Sequence, residues 1–199
     1  MENTLFLDSN VIANWILIKD IFSTTKEQKD EIMEERFERI SYSYALIEAL
    51  MKTDEYDVKT CTLAIGEVFH VVYNEILSLK LYRSGIPLTV WSKLRRRYDL
   101  DEEEQSTVRH IVNKYLRLLK RKVKEVPDVV DGKIFPKLIL SYKLRTHDAI
   151  LLTTAIAEKC SWFVTNDMEI IELGKGRGNL LQVFGIAPDL PENFLKVIK

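Results

Sequence analysis

Residues 4–17 read TLFLDSNVIANWIL. The apolar run from Thr4 to Leu7 stops on an acid, Asp8, and predicts a short buried strand. Ser9 and Asn10 are residue types that cap helices, and the apolar-rich stretch behind them predicts a helix. Asp8 therefore falls where a strand hands over to a helix. In open α/β sheets, ligand sites form outside the carboxyl ends of the strands. Position alone makes Asp8 a candidate site residue.

The same pattern recurs further along. Residues 161–165, SWFVT, form a compact apolar run ending at Asn166 and Asp167. Between these ends, residues 26–52 contain no Gly or Pro. There Ile32, Phe37, Ile40, Tyr44, Ile47 and Leu50 approximate a helical stripe, which predicts one or two helices. Residues 58–62 read as a second strand. Residues 63–81 read as a long, mostly apolar helix with Glu67 near its start. Ser84, Gly85 and Pro87 break the chain. A charged helix is predicted over 101–124, acidic in its first turns and basic in its last, KRKVK, as the helix dipole favours.

Pro127 ends that helix, VVDGKIFP (129–136) reads as a loop, and 137–143 as a short helix. Thr146 is placed to cap a helix that begins HDAILLTTAIAEK, with Asp148 near its start. LLQVFGI (180–186) reads as a last strand. Alternating strands and helices predict an α/β fold with a central parallel sheet covered on both faces. The 199 residues suit a single domain over 1–199.

Composition bounds the function. Apolar residues make up 46 % of the chain, enough to bury a core without disulfide or metal staples. Lys and Arg total 29 against 30 Asp and Glu. That balance argues against coating nucleic acid by bulk charge, while a local basic groove stays compatible with it. Cys61 and Cys160 form no CxxC pair and read as buried thiols in a reducing cytosol. The N-terminus has no signal-peptide pattern, and no apolar run reaches the ~18 residues a membrane span needs. The expectation is a cytoplasmic protein without membrane contact.

Four acids stand out by context. Asp8 and Asp167 sit at strand ends; Glu67 and Asp148 sit near the starts of apolar helices. An acid in such a setting is costly if buried unpaired, and several acids together repel one another unless a cation neutralises them. Hard divalent cations with oxygen ligands answer both costs. Singly, each acid also has a structural reading: helix cap, salt bridge, dipole partner or turn former.

Four segments, LFLDSNVIANWIL, LAIGEVFHVV, RTHDAILLTTAIAEKC and SWFVTND, resemble in series the PIN-domain family, in particular its VapC-like branch. The resemblance spans nearly the whole chain. It implies a three-layer α/β/α sandwich around a parallel sheet. It also implies a Mg²⁺- or Mn²⁺-dependent endoribonuclease of single-stranded RNA, with Asp8, Glu67, Asp148 and Asp167 as the metal cluster. Ser9, Asn10, Thr165 and Asn166 would support those acids. Homodimers, and an antitoxin partner for a toxin, are further implications. A catalytically silent nucleic-acid- or protein-binding module is the alternative. The chain departs from compact family members in a helical insertion over about 84–134.

Other features carry less. Lys93, Arg95, Arg96 and Arg97 lie beside Trp91 and Tyr98, a composition suited to single-stranded nucleic acid or to a solvated loop. Arg117, Lys120, Arg121, Lys122 and Lys124 fit a helix end. His70, His110 and His147 are too scattered for a zinc motif; His147 adjoins Asp148 but reads as a helix-start residue. Gly174, Gly176 and Gly178 read as a turn with Lys175 and Arg177 available to a phosphate, since no strand leads into them.

Overall fold

The structure is a computed structural model that describes residues 3–22, 31–86, 90, 98–175 and 178–198. Five strands form one parallel sheet: β1 (Thr4–Leu7), β2 (Asp57–Cys61), β3 (Val123–Val126), β4 (Trp162–Val164) and β5 (Ala187–Asp189), in the order β3-β2-β1-β4-β5. Helices cover both faces, giving a three-layer α/β/α sandwich.

Side-chain alternation on β1 explains the layers. Leu5 and Leu7 point to one face and Phe6 to the other, and all three are fully buried. On the Leu5 face pack α1 (Ser9–Leu17), α2 (Glu31–Leu50), α3 (Thr62–Arg83), α4 (Glu102–Leu119) and α9 (Pro191–Val197). A π-helical turn, Ile18–Phe22, continues α1. On the Phe6 face pack α5 (Ile134–Leu140), α6 (Thr146–Ala157), α7 (Met168–Glu172) and α8 (Leu180–Phe184). Phe6 stacks on Phe163 with ring centroids 5.4 Å apart. The stripe expected on α2 is the packed one where it is described: Ile47 and Leu50 are buried, and Ile40 and Tyr44 lie against them.

Strand order sets the place of a site. The chain runs β1, β2, β3 outward, then returns past β1 to lay down β4 and β5. The reversal falls between β1 and β4, and a crevice opens outside the carboxyl ends at such a switch. Asp8 and residues 165–167 occupy those ends.

Several local expectations need correction. The charged helix stops at Leu119; residues 123–126 are β3, paired with β2. Val123 and Val126 enter opposite cores while Lys124 and Glu125 stay exposed, a charged edge strand whose hydrogen bonds come from its neighbour. Part of the segment 84–134 expected as a helical insertion is therefore sheet. At its other end α4 is capped by Asp101, which accepts from the Glu104 N–H at 2.9 Å while Glu104 reaches back to the Asp101 N–H at 2.8 Å.

Residues 180–186 are not a strand. Asn179 accepts from the Gln182 N–H, and Gly185, at φ +75°, ends a short helix in the left-handed region. The last strand follows at 187–189, where Pro188 suits an edge position. Helix α5 begins at Ile134, not 137, because Asp131 accepts from the Lys133 and Ile134 N–H groups. Helix caps also shift by one residue: Asp8, not Ser9 or Asn10, caps α1, and Arg145 precedes α6 with Thr146 as its first residue. Among the described residues no helix is long and apolar enough to cross a membrane.

Candidate functional site

Asp8 is buried, 4 % exposed, at the carboxyl end of β1, where its N–H bonds the Val164 carbonyl at 3.0 Å. Four donors surround its carboxylate. Oδ1 accepts from the Ser9 N–H at 2.6 Å and the Ser9 hydroxyl at 3.2 Å. Oδ2 accepts from the Asn10 amide at 2.7 Å and the Thr165 hydroxyl at 2.5 Å. Burial pushes the Asp8 carboxyl up to about 6 and the charge of Glu67 adds to the rise, while the Thr165 and Ser9 hydrogen bonds oppose it.

Thr165 is the hinge of this network. Its Oγ1 accepts from Asn10 Nδ2 at 3.0 Å and from the Asp167 N–H at 2.9 Å. Both partners can only donate, so the single hydroxyl proton must go to Asp8. Asn10 Oδ1 in turn accepts from the Asn166 N–H at 2.9 Å and its Nδ2 at 3.3 Å. Asn166 Nδ2 also donates to the Ser43 hydroxyl on α2 at 3.0 Å. The ends of β1 and β4 are thus stitched together by side chains, with Ser9 as the first residue of α1 and Asn10 as the bridge.

Thr165→Val keeps the shape but removes the donor to Asp8 and the acceptor for the Asp167 N–H. Unpaired buried polar groups cost about 1–3 kcal/mol. Thr165→Ser loses only a methyl, about 0.8 kcal/mol. Urea unfolding should rank valine as the more destabilised; a valine variant as stable as the serine one would show that the hydroxyl does not hold the network.

The other acids are linked to Asp8 through the charge of Glu67. Asp148, buried in the first turn of α6, is raised by burial first, then by Asp167 and Glu67, while His147 and Arg145 oppose the rise. Glu67 lies half-buried on α3 and acts on both Asp8 and Asp148. Asp167 caps α7, accepting from the Glu169 N–H at 2.8 Å. The four acids therefore form one electrostatically linked set. No group of three or more His, Cys, Asp or Glu side chains among the described residues stands close enough together to hold a metal ion. The carboxylates share a field without forming a closed cage.

Three residues enter that the sequence reading left out or set aside. His147 places Nε2 3.2 Å from Asp148 Oδ1, so it is a partner of the acid and not only a helix-start residue. Arg145 stands 3.8 Å from Glu169 at the α6–α7 rim. Ser43 had one visible signal: it is a polar residue on the packed stripe between Ile40 and Ile47.

The chain matches no known protein-family profile. It is 36 % identical over 103 residues to an uncharacterized protein of Archaeoglobus fulgidus, an overlap covering 51 % of this chain and 86 % of that one. The chain belongs to that protein's family. Membership places the sequence among relatives and leaves its chemistry to the residues.

Other candidates resolve as follows. Lys93, Arg95, Arg96 and Arg97, with Trp91, lie outside the described residues, as do Gly176 and Arg177; Tyr98 is exposed. Lys175 pairs with Glu172 at 2.6 Å. In the second basic set, Lys120 pairs with Glu125 and Lys122 with Asp54. Both thiols are buried and free, and burial pushes each up to about 12. Neither is a thiolate nucleophile at neutral pH.

Proposed function

We propose that this chain is a PIN-type endoribonuclease that uses Mg²⁺ or Mn²⁺ to hydrolyse phosphodiester bonds in single-stranded RNA. The observation that supports it best is the placing of Asp8 and Asp167 at the β1–β4 switch point, with the charge of Glu67 acting on both Asp8 and Asp148 and that of Asp167 on Asp148. All four offer hard oxygen donors, and their repulsion is what a divalent cation relieves. The donor chemistry fits. At Asp8 the long 3.2 Å contact from the Ser9 hydroxyl is the weakest of four and the easiest to exchange for a cation.

Each residue has a role in this reading. Asp8, Glu67, Asp148 and Asp167 would hold the cation, and their carboxylates would have to draw together from the spacing they have here to do so. Asn10, Thr165 and Asn166 orient Asp8 and the turn to Asp167, with Ser9 at the start of α1. His147, with Nε2 3.2 Å from Asp148 Oδ1, steadies that carboxylate at its exposed edge. A bound divalent ion supplies charge for the phosphate and acidifies a water there. Lys93, Arg95, Arg96 and Arg97 are the contacts proposed for the RNA backbone, with bases on neighbouring rings. A homodimer, and a toxin's antitoxin partner, belong to the same reading.

The open carboxylates also favour a second reading, a silent binding module of the same fold. One experiment separates them. Single-stranded RNA is exposed to the purified protein with Mn²⁺ or with EDTA, and the cleaved ends are sequenced. Defined ends with Mn²⁺ alone are expected for the nuclease. Intact RNA in both, alongside retained RNA binding, would leave the binding module.

A further inference from the structure

We propose that Ser43, on a helix that carries none of the four acids, is a positioning residue for the cluster. Ser43 is fully buried, and its Oγ accepts from Asn166 Nδ2 at 3.0 Å. Asn166 has two amide protons, and the other points at Asn10 Oδ1 at 3.3 Å. Asn10 Oδ1, which can only accept, sets which way the Asn166 amide faces, and the buried Ser43 hydroxyl anchors that amide from the α2 side. A flipped amide would set carbonyl against carbonyl at Asn10. Asn10, held from that side, presents its own Nδ2 to both Asp8 and Thr165. A chain of three hydrogen bonds thus runs from the middle of α2 to the carboxylate at the end of β1. The helices α1 and α2 pack on each other, so the geometry of that contact reaches Asp8 through side chains as well as through backbone.

The inference that this chain serves a cation rests on the proposed function. The hydrogen-bond chain itself is independent of it. Residues that orient metal ligands commonly change metal affinity by about 10–100-fold when removed.

The test uses Ser43→Ala and Ser43→Thr in the full chain, the second keeping the hydroxyl. Hydrogen exchange is measured without metal at the Asn166 N–H, which donates to Asn10. Mn²⁺ binding is measured by calorimetry. Ser43→Ala should speed exchange at Asn166 about tenfold beyond any change at the β1 and β4 amides, and weaken Mn²⁺ about 10–100-fold. Ser43→Thr should stay near the parent in both. Unchanged exchange at Asn166 in Ser43→Ala overturns the proposal. So does a uniform loss of protection shared equally by both variants, which would assign Ser43 to packing. A parent that binds no Mn²⁺ overturns the metal reading alone, because exchange at Asn166 still decides Ser43. A parent and Ser43→Ala with equal Mn²⁺ affinity overturn the proposal alone.

Discussion

Asp148→Asn should abolish Mn²⁺-dependent RNA cleavage and leave the metal-free protein as stable as the parent, or slightly more so. Asparagine keeps the shape and removes the charge that a hard cation needs. Losing several kcal/mol of charge stabilisation at the phosphate corresponds to about a 10³-fold drop in rate. Stability should not fall, because Asp148 is buried and its charge is opposed by those of Asp167 and Glu67. Its hydrogen bonding is also undemanding, with His147 as the neighbour at 3.2 Å. Asp8→Asn is the poorer test. All four contacts to Asp8 are donors, so either placement of an asparagine NH₂ sets donor against donor. That conflict costs about 1–3 kcal/mol on its own. The measurement is thermal melting with and without Mn²⁺ beside an RNA cleavage assay. Mn²⁺ should raise the melting temperature of the parent by mass action and that of Asp148→Asn much less. Full activity in Asp148→Asn would end the metal-nuclease reading.

The second large effect is on stability against pH. Asp8 is buried and its carboxyl is pushed up to about 6 from an ordinary 3.8. Between those values the folded chain holds a proton that the unfolded chain has released. Stability therefore falls as pH rises through that window. A rise of this size is worth about 3 kcal/mol. Below pH ~4 the effect is absent, and above pH ~6 it is complete. Urea unfolding of the metal-free protein from pH 4 to 7 should show the decline, and Asp8→Asn should lack Asp8's share of it. Parallel curves for parent and variant would show that Asp8 titrates normally. Asp148, raised for the same first reason, adds to the decline in both proteins, so the variant keeps part of it.

Much of this fold is written in strongly patterned segments. Thr4–Leu7 and 161–165 are apolar runs that stop on polar residues, and both are strands at the sheet's centre. The helix stripe at Ile40, Tyr44, Ile47 and Leu50 is equally plain. The edge strands were not legible. Val123–Val126 offers only two apolar residues in a basic run, and its strand state comes from pairing with β2, a partner more than sixty residues away. Residues 180–186 looked like a strand because apolar content outweighed two punctuation marks, Asn179 and Gly185. At the candidate site, strand-end and helix-start contexts singled out the four acids. Ser43 stayed hidden because its meaning depends on Asn166, 123 residues later. The Asp148–His147 contact depended on a rotamer that no spacing rule supplies.

The stitching of Asp8 and Asn10 to Thr165 and Asn166 joins residues 155 to 157 positions apart. A ribosome that has made β1, β2 and β3 has therefore made most of the protein but none of this junction. Until residues 165–167 clear the exit tunnel, Asp8 has no Thr165 hydroxyl, Asn10 has no Asn166, and the fourth acid does not exist. A nascent chain that stops short of Thr165 therefore carries Asp8 and Asn10 without the partners that orient them, and the junction closes only when β4 is laid beside β1.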